Sequence, residues 1–289
     1  MKVQMKYPAI ALCVAMLAAG CSQGEAMSTL AGDKHTQVPL KITSADLQAE
    51  TTVTRTFTAL GSGASIGVFL RNAPGGSSYA QRNNVRYNCE SGIWNPVTED
   101  ARIYLTSADA NVCAYYPYQS SVTDATQVLL VPHILAAGEV PLAYAVSQKV
   151  NVPDMNVTFS MRQAYSWLVL DFKRGNAKDD ITLSEFSLNN SGLYKESVIN
   201  ITNGNDVTNT PADGGMITFA GDIALAKNNS VTRNLLMPPS SSLVGGLKVS
   251  VKVKEYGNKV LSTTLAGLTA LERGYKYAVT LTVDGTVLG

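Results

Sequence analysis

The chain has 289 residues, of which 45% are hydrophobic and 16% charged, and its formal net charge is +1. That composition excludes a disordered, charge-rich tail protein, and a near-neutral chain with scattered charges has no basic face for nucleic acid. The length suggests two domains.

The first element is an export signal. Lys2 and Lys6, the apolar run Ala9 to Ala15, and the small residues Ala18, Ala19 and Gly20 form the three zones of a secretory signal over residues 1–20. Cys21 follows directly, as the acceptor cysteine of a lipoprotein does, and is the candidate lipidation site. The apolar run falls short of the roughly 20 residues that cross a bilayer as a helix. Two or more acyl chains, at about 0.8 kcal/mol per buried methylene, would hold the mature protein on a membrane. Ser22 fits sorting to the outer membrane.

Of four cysteines, Cys13 leaves with the signal and Cys21 is acylated, so Cys89 and Cys113 remain. An oxidising compartment permits a disulfide between them, closing a loop of about 25 residues and contributing roughly 3 kcal/mol. Two buried free thiols are the alternative. No CxxC pair or Cys and His cluster indicates zinc, and no cofactor is expected.

Further along, alternation at period two marks strands. Val38, Leu40 and Ile42 share one face. Ile66, Val68 and Leu70 alternate after glycines 61 and 63 and around Gly67, so those glycines belong to a strand and its approach and not to a nucleotide-binding helix. In Val112 to Tyr118 the rings alternate as core and surface of a strand stopped by Pro117. Pro153, within Asn151 to Asp154, interrupts two strand-like stretches and is the best internal boundary. After it come Val157, Phe159 and Met161; Leu168, Leu170 and Phe172; Ile181 and Leu183; Val249, Val251 and Val253; and Val279, Leu281 and Val283. Turn clusters separate them. Many short strands and no long helical pattern argue for an all-β fold of β-sandwiches.

Catalytic constellations are sparse. The histidines are His35 and His133, and His133, beside Pro132, reads as a turn or core residue. There is no GxSxG, HExxH or P-loop. The pairs Glu99-Asp100 and Asp179-Asp180 read as solvated turns. The chain is therefore not expected to be an enzyme. Trp94, Tyr104, Tyr115, Tyr116 and Tyr118 crowd together and give a second reading, a surface-anchored glycan-binding lipoprotein using exposed rings such as Trp94 or Tyr118.

The lipidation motif, then Ser65-Ile66-Gly67-Val68-Phe69, Ile93-Trp94, Val112-Cys113-Ala114-Tyr115-Tyr116-Pro117-Tyr118 and Leu271-Glu272-Arg273-Gly274-Tyr275-Lys276-Tyr277, in that order, resembles the fimbrillin-like proteins of the type V pilin superfamily. Val157 to Gln163 stands where that family opens its second domain. The resemblance implies two tandem transthyretin-like β-sandwiches, here 56–153 and 154–289, after an N-terminal segment 21–55. It also implies a fimbrial role supporting adhesion, with other pilin subunits as partners through donor-strand exchange and the outer membrane as partner through the lipid. A host or bacterial surface glycan or protein would be the ligand.

In such proteins a cut after an arginine releases a leading strand, and a partner's strand replaces it. Here Val38, Leu40 and Ile42 would form the removable strand. Arg55, the first arginine, would be the maturation site if exposed; a solvated loop arginine that is never cut is the alternative. Only Asp284 to Gly289 follow the last strand-like run. At 3.3 Å per residue they cannot cover a groove of about ten residues, so a tip or accessory subunit that accepts without donating is expected. A lipid-retaining anchor is the alternative.

Overall fold

The computed structural model describes residues 37–48, 57–76, 78–176, 180–284 and 287–289. Cys21 and Arg55 lie outside the described residues. Among these the chain is built of strands, with helix only as three single 3-10 turns at Glu99–Ala101, Asp213–Gly215 and Lys254–Tyr256.

The first half supplies β1 (Val38–Pro39), β2 (Lys41–Gln48), β3 (Phe57–Ala59), β4 (Ser65–Asn72), β5 (Arg82–Glu90), β6 (Ile93–Pro96), β7 (Tyr104–Leu105) and β8 (Ala110–Tyr116). Two short strands, β9 (Val128–Leu130) and β10 (His133–Ile134), precede β11 (Ala143–Val150) and β12 (Asn156–Gln163). Eight of these form one sheet in the order β3-β2-β12-β11-β8-β4-β5-β6. Strands β2 and β6, near its opposite ends, pack on each other, so the sheet rolls round a core that includes Leu40, Ile42, Val68, Tyr87, Trp94 and Phe159. β1 leaves that sheet and pairs with β7, Val38 opposite Leu105.

The second half continues with β13 (Ser166–Arg174), β14 (Ile181–Asn189), β15 (Tyr194–Asn200), β16 (Asn205–Pro211) and β17 (Met216–Leu225). It ends with β18 (Ser230–Met237), β19 (Leu247–Val253), β20 (Lys259–Leu265), β21 (Lys276–Asp284) and β22 (Val287–Leu288). Sheets β10-β18-β13-β21-β22 and β17-β14-β19-β20 enclose the second core. The alternating residues predicted from sequence point into it: Leu168, Leu170 and Phe172 from β13, and Val249, Val251 and Val253 from β19. Phe186 sits between Phe172 and Phe219, with ring centroids 5.4 and 5.0 Å away. These contacts add to what area burial alone contributes.

A third core joins the halves. Phe69, Cys113, Tyr115 and Tyr144, on the outer face of the first sheet, pack with Leu130 and Ile199 of the small sheet β16-β15-β9. Strand β8 is therefore buried on both faces, with Val112 and Ala114 in the first core and Cys113 and Tyr115 in the third. The expected alternation of core and surface does not hold there, because the outer face of its sheet is covered.

Other sequence expectations are corrected by the same packing. Pro153 lies in a turn closed by Asp154 N–H donating to Asn151 O at 3.1 Å, between the antiparallel neighbours β11 and β12. β12, expected to open the second sandwich, is hydrogen-bonded into the first sheet between β2 and β11. Conversely β9 and β10, from the first half of the sequence, pair with β15 and β18 of the second. Cys89 and Cys113 are both free and buried. β4 separates their strands and they enter different cores, so they lie on opposite faces and about two strand spacings apart, beyond the 4.4–6.8 Å that a disulfide spans. The C-terminal residues are also not a free tail. Gly289 and Thr282 exchange two backbone bonds of 2.7 and 3.0 Å, and Leu288, 4% exposed, joins the second core.

Candidate functional site

The leading strand bridges β7 and β12. At its start Val38 pairs with Leu105, and Leu40 N–H donates to Ile103 O at 2.8 Å. Lys41 N–H then donates to Met155 O at 3.0 Å, and from there the strand runs parallel to β12, Lys41 opposite Asn156 through Leu47 opposite Met161. Among the described residues, β3 pairs with its outer edge at Asp46–Gln48, and Leu60 N–H donates to Ala45 O at 2.8 Å. Leu40 and Ile42 are 3% and 5% exposed and Val38 is half-buried, so the three residues named from sequence do face the core.

The sequence reading missed the rest of that face. Between Ile42 and Ser44 the register shifts by one residue, leaving Thr43 without a partner on β12. A bulge moves the following side chains to the opposite parity. Ala45 becomes the next buried residue, 1% exposed, and Leu47 packs partly against the same core. Thr43 Oγ1 donates to Val157 O at 2.9 Å and lies 2.9 Å from Thr158 Oγ1. The only sequence trace of this is the polar pair Thr43-Ser44, where alternation lapses. Under the strand the floor is Val157, Phe159 and Met161, each at most 1% exposed and set opposite Ile42, Ala45 and Leu47. In the sequence, Arg55 falls between β2 and β3.

The aromatic residues named from sequence are placed differently from one another. Trp94 is 6% exposed and belongs to the first core, so its ring offers no free face to a sugar. Arg86 lies 5.2 Å from the centroid of the half-buried Tyr118 ring. Tyr115 is wholly buried, and its hydroxyl donates within reach of Asn84 Oδ1 (2.8 Å) and Gln119 O (2.7 Å) and accepts from Gln119 N–H (3.0 Å). Burial pushes its phenol up to about 12 despite the partners at Gln119 and Asn84. Tyr104, 42% exposed, stands on β7.

His133 is held on three sides. Its Nε2 lies 2.7 Å from Glu139 Oε1, its Nδ1 lies 2.9 Å from Val131 O, and its ring meets Tyr165 edge-on at 5.6 Å. Burial raises the Glu139 carboxyl, but the Ala136 amide and His133 together bring it below its ordinary value. That is a structural clasp. Arg273 has a similar role: Nη1 donates to Ala164 O at 2.7 Å and Nη2 pairs with Asp206, tying the end of the first sheet to β16.

The fimbrillin-like family model matches residues 51–289, and no curated protein matches the sequence. Among solved structures, a candidate cell adhesion protein from Bacteroides ovatus is similar at 17% identity, covering 87% of this chain and 94% of that one, with a TM-score of 0.59. Candidate cell adhesion proteins from Bacteroides uniformis and Bacteroides fragilis share 17% and 15% identity. They cover 86% and 87% of this chain and 95% and 96% of their own, each with a TM-score of 0.55. At such identities the likeness is one of fold, and the family match, over most of the sequence, is what classifies the chain: it belongs to the fimbrillin-like family.

Proposed function

We propose that this fimbrial protein, structural and not catalytic, is a strand-accepting subunit at a tip or accessory position. It is exported as a lipoprotein through Cys21, cut at Arg55, and then filled by a strand from another subunit. The observation that carries the reading is the leading strand itself. It buries Leu40, Ile42 and Ala45 and is hydrogen-bonded to β7 at one end and β12 along the rest. Arg55 follows it in the sequence before β3.

Losing that strand uncovers aliphatic surface worth roughly 1.5 to 3 kcal/mol for each large side chain, and opens the β12 edge. A strand added in its place recovers both terms, so cleavage converts a closed subunit into an acceptor. The accessory position is supported by the end of β21, which is folded back with β22 and tied by Leu288 into the second core. Adhesion to a glycan or protein on another surface would then be a property of the assembled fimbria.

Arg55→Ala tests the reading. In a strain that shortens the wild-type chain, the variant should keep its precursor length and stay out of fimbriae, and immunogold should place the wild type at fimbrial ends. Unchanged processing of the variant, or label all along the shaft, would overturn the maturation site or the position respectively.

A further inference from the structure

The groove left by the leading strand is not patterned for simple alternation. Opposite β12, whose inward residues Val157, Phe159 and Met161 are spaced by two, the strand places Ile42, Ala45 and Leu47, spaced by three and then two. The extra residue is Thr43. Bulges are rare in parallel pairs, and this one is pinned by the Thr43 hydroxyl, which donates to the Val157 carbonyl and meets the Thr158 hydroxyl, both at 2.9 Å. Opposite Phe159, itself wholly buried, the strand presents only the methyl group of Ala45.

We infer, resting on the strand-exchange reading above, that the groove selects its incoming strand by this bulged pattern. That pattern is two apolar residues two apart, as Leu40 and Ile42, then Thr or Ser, then a small residue two further on and an apolar residue two beyond that. The incoming strand runs parallel to β12. A strand of strict alternation, seated on the Leu40 and Ile42 positions, sends its next apolar residues to the wrong face or forces the bulge out of the ladder.

The pattern also identifies the kind of donor. The apolar face of this chain's own β21, Tyr277, Val279, Leu281 and Val283, fails in every register. With Val279 and Leu281 in the leading places, Thr282 supplies the hydroxyl but Asp284 falls opposite Phe159. Moving one step forward, Leu281 and Val283 lead and Asp284 takes the hydroxyl place, where a carboxylate cannot donate to a carbonyl. One step back, Tyr277 and Val279 lead and Asp284 falls where Leu47 packs. The occupant is therefore a strand of another fimbrial subunit that carries the bulged pattern, not the last strand of a second copy.

The test uses the full chain with a site-specific protease sequence in place of residues 49–54, cleaved after folding so that the leading fragment stays seated until displaced. Four labelled peptides compete for the groove: residues 37–48, the same peptide without Thr43, the same with Thr43→Val, and residues 277–288. The first should displace the fragment. Deleting Thr43 should weaken displacement at least about 30-fold, because the later side chains change face. Thr43→Val should weaken it about tenfold by leaving a carbonyl unpaired. The 277–288 peptide should not compete. Equal potency of the first two peptides would overturn the bulged pattern while leaving strand exchange standing. Competition by 277–288 would overturn the exclusion of a second copy. Failure of the 37–48 peptide itself to enter the groove would overturn strand exchange and the pattern together.

Discussion

Gly67 and Tyr115 face each other directly across β4 and β8, and the phenol ring occupies the space where a side chain on Gly67 would be. A Cβ there would stand 2.2 Å from Tyr115 Cε1 and 2.4 Å from Asn84 Oδ1. The requirement for glycine is one of space, since the backbone is an ordinary strand. The ring cannot swing aside, because its hydroxyl is held by Asn84 and Gln119 and its body is packed in the third core. Gly67→Ala should therefore overpack this core and cost roughly 1–3 kcal/mol, read as a lower urea midpoint. In a Tyr115→Val background the same substitution should cost clearly less, and equal costs in the two backgrounds would show that the ring is not the obstacle.

Alkaline pH should attack the same core. Burial pushes Tyr115 and Tyr165 from their ordinary 10 to about 12, and Cys113 from 9 to about 12. Each is an acid held neutral in the fold, so the unfolded chain loses its proton first as pH rises. The stability they contribute is present in full below about pH 9 and is lost on the way to pH 12. Tyrosinate absorbance should therefore not develop in full while the structure is intact. The last to appear should be Tyr87, Tyr115, Tyr144 and Tyr165, all buried and all with phenols pushed up by that burial, together with the collapse of near-ultraviolet circular dichroism. A single smooth titration near pH 10 with the fold intact would contradict this.

Cys21 should carry the acylated thiol. Cys21→Ser should abolish incorporation of a fatty-acid analogue and release the protein from membranes or stop its maturation, since anchoring needs the acyl chains. Label retained by the variant would move the lipid elsewhere.

Particular strands show how far the sequence reads. Val249, Val251 and Val253 face one core while Lys248, Ser250 and Lys252 face away, so period two identifies both the strand and its buried face. The same residues, with no helical pattern beside them, imply the all-β class. On the leading strand, Leu40 and Ile42 were legible for the same reason. Ala45 was not, because the bulge at Thr43 exists only through the partner strand that supplies the Val157 carbonyl.

What the sequence by itself determined is therefore local: strand faces, the candidate export signal, the order of family motifs, and the position of Arg55 after the leading strand. Tertiary structure alone decided which strands are buried twice, that β12 belongs to the first sheet while β9 and β10 cross to the second half, and that Cys89 and Cys113 point into different cores. The physical reason is that a period-two pattern records what one strand asks of its own two faces. Which sheet covers the second face, and which strand lies at the edge, depends on residues tens to hundreds of positions away, and no pattern within the strand encodes them.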